Sequence, residues 1–304
     1  MTNMRIGVDL GGTKIEIAAL DATGRIVLRE RYPSPPSDYL ATVRAVCSGV
    51  EKAERALGLT CSVGLGIPGT ISPATGLVKN ANSTWLNGKP LDRDISDALH
   101  RPVRIANDAN CFALSEASDG AGAGKRVVFG VILGTGVGGG IAVDKRVLTG
   151  PNAVAGEWGH NPLPWPEPSE RPGPPCFCGK QGCIETWLSG PGLAADFTRV
   201  SGRRADAGEI ASAAAQGDDE AQAALSRYET RLAKALAHLI NVLDPDVIVL
   251  GGGLSNLDRL YANVSPKLAH YAFSDAVQTP IARNRWGDSS GVRGAAWLWP
   301  EPVS

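Results

Sequence analysis

Neither an excess of charge nor a long apolar run marks this sequence of 304 residues, in which 30 lysines and arginines face 31 acidic side chains. That balance gives no reason to expect nucleic acid or an anionic membrane surface as a partner. The longest apolar stretches, such as Val127 to Leu133, fall well short of the ~20 residues that cross a bilayer. Residues Met1 to Arg5 lead straight into a strand-like IGVDL, without the apolar stretch and small-residue cleavage site of a secretory signal, so the protein is expected in the cytoplasm. Cysteine is sparse, at six residues, and Cys47, Cys61 and Cys111 lie far apart with no ligand-like spacing. In a reducing compartment these three read as small buried hydrophobes, not as halves of disulfides.

The other three cysteines break that scatter. CFCGKQGC places Cys176, Cys178 and Cys183 in one turn-forming stretch with Gly179 and Gly182. Several sulfurs can converge at such a turn, and where thiols are kept reduced, metal binding outranks disulfide formation. Structural zinc takes four tetrahedral ligands, so three thiolates call for one more donor, usually a histidine. Of the four histidines, His100, His238 and His270 fall in helical patterns, whereas His160 lies just upstream in the Gly- and Pro-rich GEWGHNPLPW. His160 is the expected fourth ligand and Zn2+ the expected ion.

The length exceeds what a single core usually organises, so two domains are expected. They are placed at residues 1–118, with a C-terminal helix over 290–304 packing back on them, and at 119–289, which carries the zinc loop. MRIGVDLGGTKIEIAALDATGRIVLRERY reads as strand, glycine turn, strand, hairpin, strand, and VVFGVILGTGVGGGIAVDKRVLTG repeats that plan. Two halves of one design suggest an internal duplication. Glycines at each turn let successive backbone N–H groups approach a bound group closely, which suits phosphate oxygens. GxxxxGK[ST] is absent and the turns enter strands, which excludes a Walker loop and a Rossmann fingerprint. A helix capped by Ser37 is expected to run to about Leu57, and RPVRIANDANCFALSEA delivers Asn107 and Asp108 to a strand–helix junction. Further helices are expected from Asp218 to about Leu243, from near Asn256, and from Gly291 to Trp299. DVIVLGGG is a strand ending in a third close-approach site, and WPEPSERPGPP a proline-rich surface loop.

DLGGTK, GIPG, NDAN, LGTGVGGG, GEWGH and CFCGKQGCIE stand in this order, and in them the sequence resembles the ROK family of sugar kinases and repressors over essentially its whole length. KNANSTWLNGKPL, EWGHNPLPW and GDSSGVRGAAWLWP further resemble its bacterial mannofructokinase branch. The resemblance implies an α/β protein of the actin-like (ribonuclease-H-like) ATPase fold, with two α/β domains around a catalytic cleft. It also implies ATP, Mg2+ and structural Zn2+, a small hexose as substrate and a homodimer, with no nucleic acid and no membrane partner.

The same resemblance assigns roles. Asp108 would be the general base that takes the proton of the acceptor hydroxyl, with Gly69, Asn82, Asn107, Asp108, Glu157, His160 and Glu185 around the sugar. Carboxylates and amides suit a polyol because each makes several directional hydrogen bonds. Asp9 would orient Mg2+ or its water shell; Gly11, Gly12, Thr13 and Lys14 would line the first phosphate turn, Thr135 and Gly136 the second, and Gly252 and Gly253 would approach the adenosine. A zinc ion on one ring nitrogen of His160 leaves the other to donate to a sugar hydroxyl, and it would fix Glu185, two residues after Cys183, as well. The expected reaction is phosphorylation of the 6-hydroxyl of D-fructose, with mannose as a further substrate. Segment NSTW weighs against N-acetylglucosamine kinase, which stands with glucokinase as the alternative. A repressor of the family would need a helix-turn-helix ahead of DLGGTK, where only eight residues precede Asp9.

Overall fold

A computed structural model describes residues 4–299. These divide into two compact units, one of residues 4–126, 140–155 and 285–299, the other of 127–139 and 156–284. Residues 300–304, the end of the expected C-terminal helix, lie outside the described residues.

The chain begins with β1 (Arg5–Leu10), β2 (Lys14–Leu20), β3 (Ile26–Pro33), α1 (Tyr39–Leu57) and β4 (Ser62–Ile67). The short pair β5 (Thr70–Ile71) and β6 (Val78–Lys79), then α2 (Leu91–Ala98), β7 (Val103–Asn107) and α3 (Asp108–Asp119) follow. Runs of Ile, Val and Leu between glycine turns set the strands. β1, β2 and β3 form an antiparallel meander, and β4 and β7 join on the far side of β1, parallel to it and to each other. The sheet order is β3-β2-β1-β4-β7.

The plan recurs with β8 (Val127–Leu133), β9 (Val137–Val143) and β10 (Arg146–Val147). Next come α4 (Ile184–Leu188), α5 (Gly190–Ser201), α6 (Ala207–Ala215), α7 (Asp219–Leu243), β11 (Val247–Gly251), α8 (Asp258–Leu268), β12 (Ile281–Arg283) and α9 (Ser290–Trp297). The second sheet runs β10-β9-β8-β11-β12. In both sheets the strands lie in the order third, second, first, fourth, fifth, with the first, fourth and fifth parallel. The duplication suggested by two glycine turns therefore extends to the topology of the sheets.

Helix α9 packs on β1 and β4 and against α3. A Cβ on Gly7 or Gly64 would lie 1.9 Å from the carbonyl oxygen of Val292 or Ala295, so helix and sheet backbones meet with nothing between them. α9 meets α3, whose first residue is Asp108, just as closely: a Cβ on Gly294 would lie 1.7 Å from the carbonyl oxygen of Cys111. Cys47, Cys61 and Cys111 are buried as expected.

Three expectations need correction. Asp38, not Ser37, caps α1: its carboxylate accepts from Ala41 N at 2.9 Å, while Ser37 takes a left-handed conformation just before it. The carboxylate is an acceptor that the positive helix end also favours electrostatically. The helix expected near Asn256 starts at Asp258, after a 3-10 turn over Gly253–Asn256. The proline-rich stretch is not wholly at the surface, since Glu170 is buried and paired with Arg231 of α7, 61 residues away.

Candidate active site

In the first unit, β7 ends on Asn107 and α3 starts on Asp108. Asn107 does the capping: its Oδ1 accepts from Ala109 N at 2.9 Å and its Nδ2 donates to Gly69 O at 3.2 Å. Asp108 shares that Ala109 N–H at 2.8 Å and keeps its side chain exposed, at a helix end that favours negative charge. Gly69 has φ 80°, and a Cβ there would lie 2.4 Å from Lys79 O; only glycine brings this carbonyl under Asn107. Asn82 is exposed.

The NSTW segment has a structural task. Trp85 donates from Nε1 to Thr42 Oγ1 of α1 at 3.3 Å, and Ser83 and Leu86 on either side are buried. Its aromatic ring anchors the segment to the core of the first unit, so the feature read as a mark of sugar preference is in part a packing feature.

The first glycine turn is closed by Gly11 N–H to Lys14 O at 2.9 Å, and Ser34 supports it with Oγ to Gly11 O at 2.6 Å and N to Thr13 O at 3.0 Å. Gly12, Thr13 and Lys14 are exposed on it. Nothing local in the sequence pointed to Ser34. Asp9 stands at the end of β1 opposite Gly66 of β4. Burial, then the charge of Asp108, then that of Glu16 push its carboxyl up to about 6. A hard cation or its water shell beside Asp9 would offset that cost, and a carboxylate oxygen suits Mg2+.

This gives a prediction with a definite sign. With its pKa raised in the folded state, Asp9 favours folding below the unfolded carboxylate range, and that contribution is lost as pH rises through about 6. Above that pH the ionised carboxylate costs stability. Asp9→Asn should therefore be more stable than wild type at pH 8, by at most about 3 kcal/mol, and melt higher, with the gap closing towards pH 4, while turnover falls. Thermal melts across this range check it; a variant less stable at pH 8 would contradict the assigned strain.

In the second unit, the ligand atoms of His160, Cys176, Cys178 and Cys183 all lie within 4.8 Å of one another. Cys176 Sγ is 3.6 Å from His160 Nδ1, and Cys178 Sγ is 3.6 Å from Cys183 Sγ. Zinc–ligand bonds of about 2.0–2.3 Å at tetrahedral angles separate such atoms by about 3.6–3.8 Å, so the donor set fits Zn2+. Bonds from Cys176 N to Lys180 O at 2.8 Å and from Gly179 N to Cys176 O at 3.0 Å fold the loop that makes this convergence possible. With Nδ1 towards the thiols, His160 keeps Nε2 for another partner.

Glu157, exposed, and His160 flank Trp158, which is buried with Nε1 on Gly138 O at 2.9 Å and its ring edge-on to Phe129. Glu185 lies on α4, directly after the last cysteine, and its Oε2 accepts from Val137 N at 2.9 Å. The residue expected at the sugar is thus tied to the end of the second glycine turn, a link no local motif reveals.

Thr135 and Gly253 meet at a cavity of 590 Å³ whose wall includes Pro191, Ala207, Ala211 and Leu254, with Asp206 at it as well. Gly136 is on the turn beside Thr135, and Gly252 packs its Cα against β8, where a Cβ would lie 2.5 Å from Leu133 O. The wall residues from α5 and α6 were not foreseen, because small apolar side chains have no chemical signature in a sequence. Largely apolar and bordered by a glycine turn, the space suits a nucleoside next to phosphates.

The ROK family model matches residues 5–302. The N-acetyl-D-glucosamine kinase of Salmonella typhimurium is 41% identical over 303 residues, spanning 97% of this chain and 99% of that protein. Among solved structures, the ROK hexokinase from Thermus thermophilus aligns with a TM-score of 0.86 at 32% identity, covering 97% of both chains. A ROK family glucokinase from Streptomyces griseus in complex with glucose and AMPPNP aligns at 0.74 and 28%, covering 98% of this chain and 100% of that one.

Proposed function

This chain belongs to the ROK family and is a sugar kinase of the actin-like ATPase fold, and we propose that its acceptor is N-acetyl-D-glucosamine, phosphorylated by ATP at the 6-hydroxyl. The observation that carries this reading is the 41% identity to N-acetyl-D-glucosamine kinase along 97% of the chain. It favours the alternative over the fructose reading, which rested on KNANSTWLNGKPL, EWGHNPLPW and GDSSGVRGAAWLWP, with NSTW weighed against the acetamido sugar. With Trp85 bound to Thr42, that stretch is a weak guide to the acceptor.

The proposed division of labour follows from the reaction. Phosphoryl transfer needs a positioned hydroxyl, neutralised phosphates and exclusion of water, with little covalent work for the protein. Asp108 is the base, a role that commonly contributes about 10²–10⁴-fold. Asn107, held between Ala109 and Gly69, orients a sugar hydroxyl, and Glu157, His160 and Glu185 carry the sugar-recognition role that the resemblance implies. Magnesium would supply charge neutralisation at the phosphates, with Asp9 as its protein contact. Zinc is structural, because four protein ligands leave no position for water activation.

Steady-state rates on a sugar panel test the acceptor. A site that satisfies the acetamido group discriminates against sugars lacking it, since a buried polar group left unpaired costs about 1–3 kcal/mol. In kcat/KM this amounts to about 5- to 150-fold. N-acetylglucosamine should therefore exceed fructose, mannose and glucose by at least about 5-fold. A higher value for fructose would restore the fructokinase reading and leave the kinase chemistry intact.

A further inference from the structure

Glu185 sits on α4, a helix of five residues, Ile184–Leu188. One turn cannot hold its own direction, because the hydrogen bonds of so short a helix do not offset the cost of nucleation. Its start is pinned by Cys183 in the metal cluster. Its end is pinned by α7: Tyr228 OH donates to Leu188 O at 2.8 Å, and the guanidinium of Arg231 lies 4.4 Å from the ring centroid of Trp187.

Arg231 does more than cover that ring. It is 3% exposed, and its Nε donates to Glu170 Oε1 at 2.7 Å and its Nη2 to Asp196 Oδ1 at 3.0 Å. Glu170 precedes the metal loop, Trp187 follows it, and Asp196 lies on α5. One planar cation thus grips the chain on both sides of the loop. Lys234, one turn further along α7, adds Nζ contacts to Glu167 Oε1 at 2.9 Å and Trp165 O at 2.8 Å. A guanidinium suits this place because its rigid fork and flat face set three directions at once, whereas an ammonium is a point charge.

We propose that Arg231 is a positioning residue for sugar recognition, which aims Glu185 by clamping Trp187 and the approach to the metal loop. The inference rests on the reading of Glu185 as a sugar contact. The second glycine turn has its own closure, Gly134 N to Gly136 O at 3.0 Å, and Asp196 on α5 keeps Arg199 and Arg227 as ion-pair partners when Arg231 is changed, so loss of the clamp should fall on the sugar more than on ATP.

Arg231→Lys keeps the buried charge and removes the fork and the stacking face. It should retain one zinc per chain and raise the KM for the sugar by about 10-fold, with the KM for ATP changed by less than about 2-fold, since small misplacements of a binding group cost this much or more. Trp187→Leu leaves both ion pairs in place and should give the same split with a smaller rise, so the question stays decidable if the lysine variant folds poorly. Unchanged sugar KM in Trp187→Leu and in folded Arg231→Lys would overturn the proposal. So would equal rises in both KM values together with a lower melting temperature, the pattern of a merely structural residue. Failure of the kinase reading would show elsewhere, as absence of sugar-dependent ADP release by the wild-type protein.

Discussion

Asp108→Asn should lower kcat by about 10²-fold or more while leaving the KM for the sugar within a few-fold of wild type. The substitution is nearly isosteric, and the cap of α3 stays in place because Asn107 supplies it. What is lost is the carboxylate that would take the acceptor's proton. A variant with near-normal kcat would sink the assignment of the base; one with normal kcat and a much higher sugar KM would make Asp108 a ground-state contact instead. The same variant carries an electrostatic signature. The charge of Asp108 contributes to the raised pKa of Asp9, so in Asp108→Asn the pH dependence of stability attributed to Asp9 should shift to lower pH.

Loss of the metal should have the second large effect. Purified protein should contain one zinc per chain, and Cys178→Ser should lose it, melt lower and bind sugar about 10-fold or more weakly, because folding and metal binding share one free energy. The three losses belong together: Cys183 is both a proposed ligand and the residue before α4, and His160 is both a proposed ligand and an expected sugar contact. Cys178 is the exposed member of the cluster, so its replacement perturbs packing least. Metal analysis, melting and kinetics on one preparation check the expectation. Zinc-free protein with full stability and sugar affinity would refute the structural role of the ion.

Much of this was legible in the chain itself. The candidate metal ligands, the glycine turns, the strand–helix junction at Asn107 and Asp108, and the helix expected from Asp218 to about Leu243 each lie within a contiguous stretch. There residue type and spacing carry the chemistry: sulfur and imidazole for a soft cation, glycine for close backbone approach, a short polar side chain for a helix end. What the chain could not display were relations between distant stretches. Glu185 meets Val137 across 48 residues, Trp85 meets Thr42 across 43, and Arg231 meets Glu170 across 61. Such pairs exist only once the sheets and helices have brought them together, and without them NSTW looked like a specificity signal and Glu170 like part of a surface loop. The cavity beside Thr135 was hidden for a different reason. Alanine, proline and leucine acquire meaning there from the shape they enclose, and shape belongs to the tertiary structure alone.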